Sequence, residues 1–403
     1  MSLIVLKFGG TSVGSVKKIK NVAKIIKNHK KKNNKLIVIS SAMSGVTQDL
    51  INKSKEISKN FDKFEYDALV SSGEQTACAL LSGALLDLGF KSRSWLSWQI
   101  PILTERNNKS SRIIFIKKKE ILRYLNSGGT PIIAGFQGIS SNKRLTTLGR
   151  GGSDTTAISF AKFFNADECI IYTDVDGVFT TDPKLNSKAK KIHKISYEEI
   201  LEMASLGAKV MAPSSVQDAM INEIDINVKS TFTNNKGTKI LSNEKSFNKN
   251  PITGIAFTKN EAKITLTGVV DRPGVAASIF KPLADNHINV DMVVQNISAY
   301  GRFTDITFTI MKDEIKSCIK ILKGNEKISY KKIQYDENVS KVSIIGAGMI
   351  VTPGITYRMF QALAKKKINI MVISTSEIKI SVLINQKYIK EAVKVLHREF
   401  NLD

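Results

Sequence analysis

Lys7 ends an apolar run and is followed at once by Gly9-Gly10-Thr11-Ser12. A strand that breaks into two glycines lets backbone N–H groups converge on an anion, and the lysine brings the neutralising charge, so residues 4–14 read as a phosphate site. A second island, Leu148-Gly149-Arg150-Gly151-Gly152-Ser153-Asp154-Thr155-Thr156, joins glycines that allow close anion approach to residues that can cap a helix. A plain helix cap needs neither an arginine before the glycines nor four polar residues after them. Arg150 can fork onto a carboxylate, and Asp154 can orient a lysine or a metal-bound phosphate. A third island, Thr173-Asp174-Val175-Asp176-Gly177, imitates the start of a calcium loop. That reading fails, because the twelfth residue from Asp174 is Leu185 where the calcium loop needs a glutamate. A nucleotide base or ribose suits such a loop better.

Each island follows an apolar run, so strands must position them. Strands are expected over 3–8, 36–40, 92–96, 130–134, 169–173 and 225–230, alternating with helices. That alternation is the pattern of a three-layer α/β domain with a mainly parallel sheet, in which ligands bind outside the carboxyl ends of strands. Residues 234–250 are rich in Asn, Lys and Ser and read as a connector. Beyond them, Asp271-Arg272-Pro273-Gly274-Val275 recurs 80 residues later as Val351-Thr352-Pro353-Gly354-Ile355, and Ile288-Asn289-Val290 recurs as Ile368-Asn369-Ile370. A strand, a Pro-Gly helix entrance and two more strands, present twice, describe paired ferredoxin-like α+β units. The expected domains are 1–233, a linker over 234–250, and regulatory units at 251–340 and 341–403.

A formal net charge of +24 invites a polyanion partner. The lysines are spread along the whole chain, no aromatic-interleaved basic patch occurs, and no nucleic-acid partner is expected. Every apolar run is interrupted by Lys, Asn or Gly before it reaches membrane-spanning length, so no membrane partner is expected either. The phosphate pattern starts too early to leave room for a signal peptide. Cys78, Cys169 and Cys318 are scattered without metal-ligand spacing, which predicts buried thiols, a cytoplasmic setting and no protein metal site.

Taken in order, Lys7-Phe8-Gly9-Gly10-Thr11-Ser12-Val13, Ser72-Gly73-Glu74, Arg150 to Thr156, Thr173 to Val178 and Gly207-Ala208-Lys209-Val210 resemble the aspartate kinases, with two C-terminal ACT modules. The resemblance implies ATP-dependent phosphorylation of the L-aspartate β-carboxylate, with Mg2+ carried in on ATP. It implies that Lys7 meets the transferring phosphoryl group, Asp154 organises the positive groups and Lys209 makes a second phosphate contact. It implies that Arg150, with Gly151, Gly152 and Ser153, holds the substrate α-carboxylate, that Glu74 binds its ammonium, and that Thr47 lies nearby. Phe8, Gly9, Gly10, Thr173, Asp174, Phe179 and Lys184 match the nucleotide positions. A lysine or threonine effector is implied at Asp271, Ala276, Asn289, Asp291 and Gln295 of the first module and at Ile355, Thr356, Asn369, Ile370, Ser376 and Glu377 of the second. ACT pairing across chains implies a homodimer or larger homo-oligomer.

Two departures stand out. Where the family continues Gly-Ala-Lys-Val-Leu with His-Pro-Arg, this chain has Met211-Ala212-Pro213-Ser214, and the family's second His-Pro-Gly is Thr352-Pro353-Gly354. Competing readings are a non-catalytic amino-acid sensor, which only the lost His and Arg favour, and a basic nucleic-acid-binding protein, which only the net charge favours.

Overall fold

The computed structural model describes residues 2–105, 111–207, 210–242, 250–297, 302–325 and 328–403. One unit comprises Met1–Val178 and Lys191–Phe247. Its strands are β1 (Leu3–Phe8), β2 (Lys35–Ser40), β3 (Ser92–Trp95), β4 (Ile102–Thr104), β5 (Ile113–Ile116), β6 (Thr130–Ala134), β7 (Gln137–Ile139), β8 (Leu145–Thr147), β9 (Glu168–Thr173), β10 (Lys194–Ser196), β11 (Ile226–Ser230) and β12 (Thr238–Leu241). Eight of them, among the described residues, join in the order β10-β12-β11-β9-β1-β2-β6-β3. From β11 across to β3 all neighbours are parallel. The near-continuous Leu, Ile and Val content of β1 and β2 suits strands covered on both faces.

The core shows why these segments fold so. The helix Val16–Lys31 buries Ile19, Val22, Ala23 and Ile26, one stripe at helical spacing, and Ser15 caps its start by accepting the Lys18 N–H. That stripe and Leu81 and Leu85 of the helix Lys63–Asp87 close over Leu6, Phe8, Leu36 and Val38. A small sheet of β5-β4-β7-β8 lies outside the sequence expectation; its strands are too short to carry a periodic signal.

The expected connector is also corrected. Thr238–Leu241 pairs antiparallel with β11 and parallel with β10. Buried Thr238 secures it, donating its hydroxyl to the Ile192 carbonyl at 2.6 Å and accepting the Val178 N–H at 2.9 Å.

The second unit comprises Phe179–Lys190 and Asn248–Asp403. Strands β13 (Gly254–Val270), β14 (Val290–Ile297), β15 (Phe303–Met311), β16 (Lys332–Ile345), β17 (Ile370–Thr375) and β18 (Lys379–Asn385) form one antiparallel sheet in the order β14-β15-β13-β16-β18-β17. Among the described residues it carries two large cores and a small third cluster of Met292, Val339, Val372 and Leu383. One large core gathers Ile264, Leu266, Ile279, Leu283, Phe308 and Leu322, and the other gathers Val342, Ile344, Met359, Leu363, Val393 and Leu396. Ile252 and Ile255 pack in the latter core, so the stretch from 251 does not open the first module as expected; β13 is one long strand serving both. The repeated Pro-Gly has one purpose in both copies. Gly274 (φ +87°) and Gly354 (φ +83°) are left-handed residues at the helix N-caps, a conformation that disfavours any side chain.

All three cysteines are buried and free, and burial pushes the Cys78 thiol up to about 12. Among the described residues no helix is long and apolar enough to cross a membrane.

Candidate active site

Strand β1 is where the sheet changes direction: the chain next fills β2 on one side and later β9 on the other. Such a switch point opens a crevice at the carboxyl ends of the strands, and Lys7 lies there. Its Nζ is 2.6 Å from Asp154 Oδ1, and each side chain is only 10% exposed. Asp154 stands in the first turn of the helix Gly152–Phe164, where the helix dipole favours negative charge. In so dry a setting the pair interacts far more strongly than it would at the surface, so Lys7 is held in place.

The glycines after β1 do two different jobs. A Cβ on Gly10 would lie 2.9 Å from the Ala42 carbonyl oxygen, so only glycine lets the turn meet the loop after β2. The Gly9 N–H donates to the Tyr172 carbonyl of β9 at 3.1 Å, which corrects its expected place among the anion-facing amides. Among the described residues no acceptor is bonded to the Gly10 N–H. Ser12 Oγ and Thr231 Oγ1, both buried and 2.6 Å apart, tie the turn to the end of β11; neither was expected from the sequence.

Arg150 is exposed at the tip of a turn bounded by left-handed Gly149 and Gly151 (φ +76° each). Buried Ser215, at the start of the helix Pro213–Ile221, braces it: its Oγ donates to the Gly151 carbonyl at 3.1 Å and pairs with Thr155 Oγ1 at 3.2 Å. A Cβ on Gly151 would fall 2.4 Å from that of Ala212. Both replaced residues of the first departure therefore sit on this turn, Ala212 by packing and Ser214 through its Oγ at 3.5 Å from the Arg150 carbonyl. Buried Gly152 and Ser153 pack on the loop after β6, beside Phe136 and Gly135.

Glu74 is 4% exposed in the middle of the helix Lys63–Asp87, whose N-cap is Asp62, accepting from Phe64 N–H at 2.9 Å and Glu65 N–H at 3.0 Å. Ser71-Ser72-Gly73 and Glu74 therefore lie inside this helix and not at its entrance. Gly73 lets this helix close on the loop after β2, for a Cβ there would touch that of Ala42 at 3.0 Å. Among the described residues Glu74 Oε2 has no hydrogen-bond partner, and burial pushes the carboxyl up to about 7, against weaker opposition from the backbone N–H groups of Glu74 and Ala42. A buried carboxylate with an open oxygen is a seat for a cation. Thr47, half-buried, follows the same loop in the first turn of the helix Val46–Ile57.

Comparison with known proteins gives these features a family. The amino acid kinase family model matches residues 2–230, and the ACT domain model matches 264–325 and 342–400. The aspartate kinase of Stutzerimonas stutzeri is 45% identical over 405 residues, covering 100% of this chain and 98% of that protein. The chain belongs to the aspartate kinase family. It is accordingly a kinase. Among solved structures, the aspartate kinase of Clostridium acetobutylicum is 25% identical with a TM-score of 0.83, covering 99% of this chain and 100% of that one. Aspartokinase III of Escherichia coli, solved in complex with aspartate and ADP, shares the fold at 24% identity and a TM-score of 0.78, over 98% of this chain and 99% of that one.

The remaining positions expected from the aspartate kinase pattern are distributed as follows. Thr173 ends β9, half-buried, and its Oγ1 donates to exposed Asp174 at 3.2 Å. Asp176 is taken up by Thr233 and Asn235. Phe179, half-buried, and Lys184, exposed, belong to the second unit. Lys209 lies outside the described residues. Of the effector positions, Asp271, Asn289, Asp291, Gln295, Thr356, Asn369, Ser376 and Glu377 are exposed, and Ala276 and Ile370 are half-buried. Ile355 is a correction, since at 3% exposure it packs in the second core and offers no surface to a ligand. Asp291 is paired with buried Lys341, which also holds Glu261 at 3.1 Å. Among the described residues no cluster of three or more His, Cys, Asp or Glu side chains is set to hold a metal.

Proposed function

We propose that this kinase transfers the γ-phosphoryl group of ATP to the β-carboxylate of L-aspartate, giving 4-phospho-L-aspartate and ADP. One observation carries the reading: the buried Lys7–Asp154 pair at the switch point of the sheet, 2.6 Å apart. An ionised carboxylate is already a nucleophile at neutral pH, so no general base is required; positioning and charge neutralisation do the work. One β-carboxylate oxygen forms the new bond to phosphorus as the bond from phosphorus to the β-phosphate oxygen breaks, and ADP leaves with that electron pair.

Lys7 draws the equatorial oxygens of the phosphoryl group, and Asp154 keeps its ammonium aimed there. The Gly10 N–H is the backbone donor at the end of β1. Arg150, with the Gly151-Gly152-Ser153 turn, takes the substrate α-carboxylate, Glu74 takes its ammonium, and Thr47 flanks it. Thr173, Asp174, Phe179, Lys184 and Lys209 complete the nucleotide positions, while Phe8, 0% exposed in the core, and Gly9, whose N–H is taken by Tyr172, shape the strand end behind them. Asp154 is engaged by Lys7 and Asp174 by the Thr173 hydroxyl, so Mg2+ travels with the phosphates of ATP.

Residues 1–233, apart from the segment Phe179–Lys190, form the catalytic domain and the two ACT modules the regulatory part, with β12 added to the catalytic sheet. Lysine or threonine acts as feedback effector at the exposed ACT positions, as befits the first step toward lysine, threonine and methionine, and the chain assembles as a homo-oligomer. Feedback requires the effector to bind an inactive arrangement more tightly than the active one.

The experiment is hydroxamate trapping of the acyl phosphate with aspartate, glutamate or N-acetylglutamate as acceptor. Aspartate alone is expected to give product, and lysine or threonine, singly or together, to suppress it. Product from glutamate but not aspartate would overturn the substrate, and indifference to both effectors would overturn the regulation.

A further inference from the structure

The segment Phe179–Lys190 carries two of the nucleotide positions, Phe179 and Lys184, and packs within the second unit. What holds it is a chain of hydrogen bonds that no motif announces. Thr180 is buried, and its hydroxyl oxygen accepts the Lys190 N–H at 3.0 Å while lying 2.8 Å from His397 Nε2. His397, on the helix Ile389–Glu399, is 0% exposed, and its Nδ1 is 2.7 Å from Asp403 Oδ1. The other Asp403 oxygen receives Lys188 Nζ at 3.1 Å. The backbone closes the same knot, with the Ile255 N–H donating to the Thr180 carbonyl at 2.7 Å and Leu185 packing on the second hydrophobic core.

An ionised carboxylate can only accept, so His397 Nδ1 donates to Asp403. Thr180 Oγ1 meets His397 Nε2 with the hydrogen-bonding capacity left beside the Lys190 N–H. The hydrogen bond from His397, with help from Lys188, holds the Asp403 carboxyl below its ordinary range. Both ends of the chain, Thr180 and Lys188, lie in the segment; its middle lies on the second ACT module. The order Thr-His-Asp also occurs in hydrolytic sites, but here the hydroxyl is buried and committed to Lys190, so it fixes position.

We propose that His397 is a positioning residue for nucleotide binding: oriented by Asp403, it fixes Thr180 and hence the segment bearing Phe179 and Lys184, so that the second ACT module sets the affinity for ATP. This inference rests on the nucleotide reading of Phe179 and Lys184 given above.

The test uses the full chain and compares KM for ATP with KM for aspartate in Thr180→Val, His397→Gln and Asp403→Asn, with Thr180→Ser as the conservative rescue. The first two are expected to raise KM for ATP about tenfold and to leave KM for aspartate within about twofold. Asp403→Asn, a milder change at a half-buried residue, is expected to raise KM for ATP about threefold and covers the case in which the others do not fold. Thr180→Ser, which keeps the hydroxyl, is expected to match the parent. Folded variants with an unchanged KM for ATP, or with equal rises in both KM values, would overturn the proposal. Phe179→Ala and Lys184→Ala run alongside. If they raise KM for ATP and the latch variants do not, the latch alone is wrong; if they leave it unchanged, the nucleotide reading falls and takes the latch with it.

Discussion

Replacing Lys7 with alanine is expected to lower kcat about 1000-fold while KM for aspartate stays within about threefold, because the lost charge acts on the phosphoryl group in flight and not on the bound amino acid. The same change strands Asp154 in a dry site, and removing one partner of a buried pair costs about 3 kcal/mol or more of stability. The two effects separate in a second variant. Lys7→Met with Asp154→Asn removes both charges and is expected to recover most of the stability, read by chemical denaturation, without recovering turnover. Lys7→Arg is expected to fail as a rescue, since a planar guanidinium does not reproduce the compact ammonium held 2.6 Å from Asp154 in a dry site. Near-normal turnover in Lys7→Ala would show that the end of β1 does not meet the phosphoryl group.

Glu74→Gln is the second large effect, and it carries a pH signature. Burial places the carboxyl at about 7 in the free enzyme, so it is largely protonated at pH 6 and ionised at pH 8. If the carboxylate seats the substrate ammonium, kcat/KM for aspartate rises with pH through about 7 and levels off above it. In Glu74→Gln that limb disappears, and kcat/KM at pH 8 falls about 100-fold through loss of a charged partner. Stability moves the opposite way. The folded-state value lies above the ordinary value of 4.5, so Glu74 contributes stability below about pH 4.5 and withdraws it as pH rises through about 7. The glutamine variant is therefore expected to be the more stable protein at pH 8, by about 3 kcal/mol, with the gap closing toward pH 5. A variant less stable than the parent at pH 8 with an unchanged pH profile would make Glu74 a structural residue.

What the sequence reveals here follows from how local each signal is. Leu3–Phe8 and Thr130–Ala134 are readable residue for residue, because strands buried on both faces are unbroken apolar runs between glycines and polar turns. Lys7 is legible for the same reason, closing such a run just before a glycine-rich break, whereas Arg150 and Asp154 are legible from the glycine pair that separates them. Glu74 is harder, since only the tertiary approach of its helix to Ala42 makes it a buried, unpaired acid, and no local pattern distinguishes mid-helix Ser71-Ser72-Gly73 from a helix entrance. Strand β12 hides because Thr-Lys-Ile-Leu is too short to alternate, and its register comes from Thr238 bonding to Ile192 and Val178 far away in the chain. Ser215 and His397 are invisible to spacing arguments altogether, as their partners Gly151 and Thr180 lie 64 and 217 residues away.

The most direct measurement follows an oxygen atom. Aspartate labelled with 18O in its β-carboxylate is incubated with ATP and the enzyme, the acyl phosphate is cleaved with hydroxylamine at its carbonyl carbon, and the released phosphate is weighed. Phosphate is expected to carry one 18O from β-labelled aspartate and none from α-labelled aspartate, since the β-carboxylate oxygen becomes the bridge to phosphorus. Phosphate without label from the β-carboxylate, or label arriving from the α-carboxylate, would contradict transfer to the β-carboxylate.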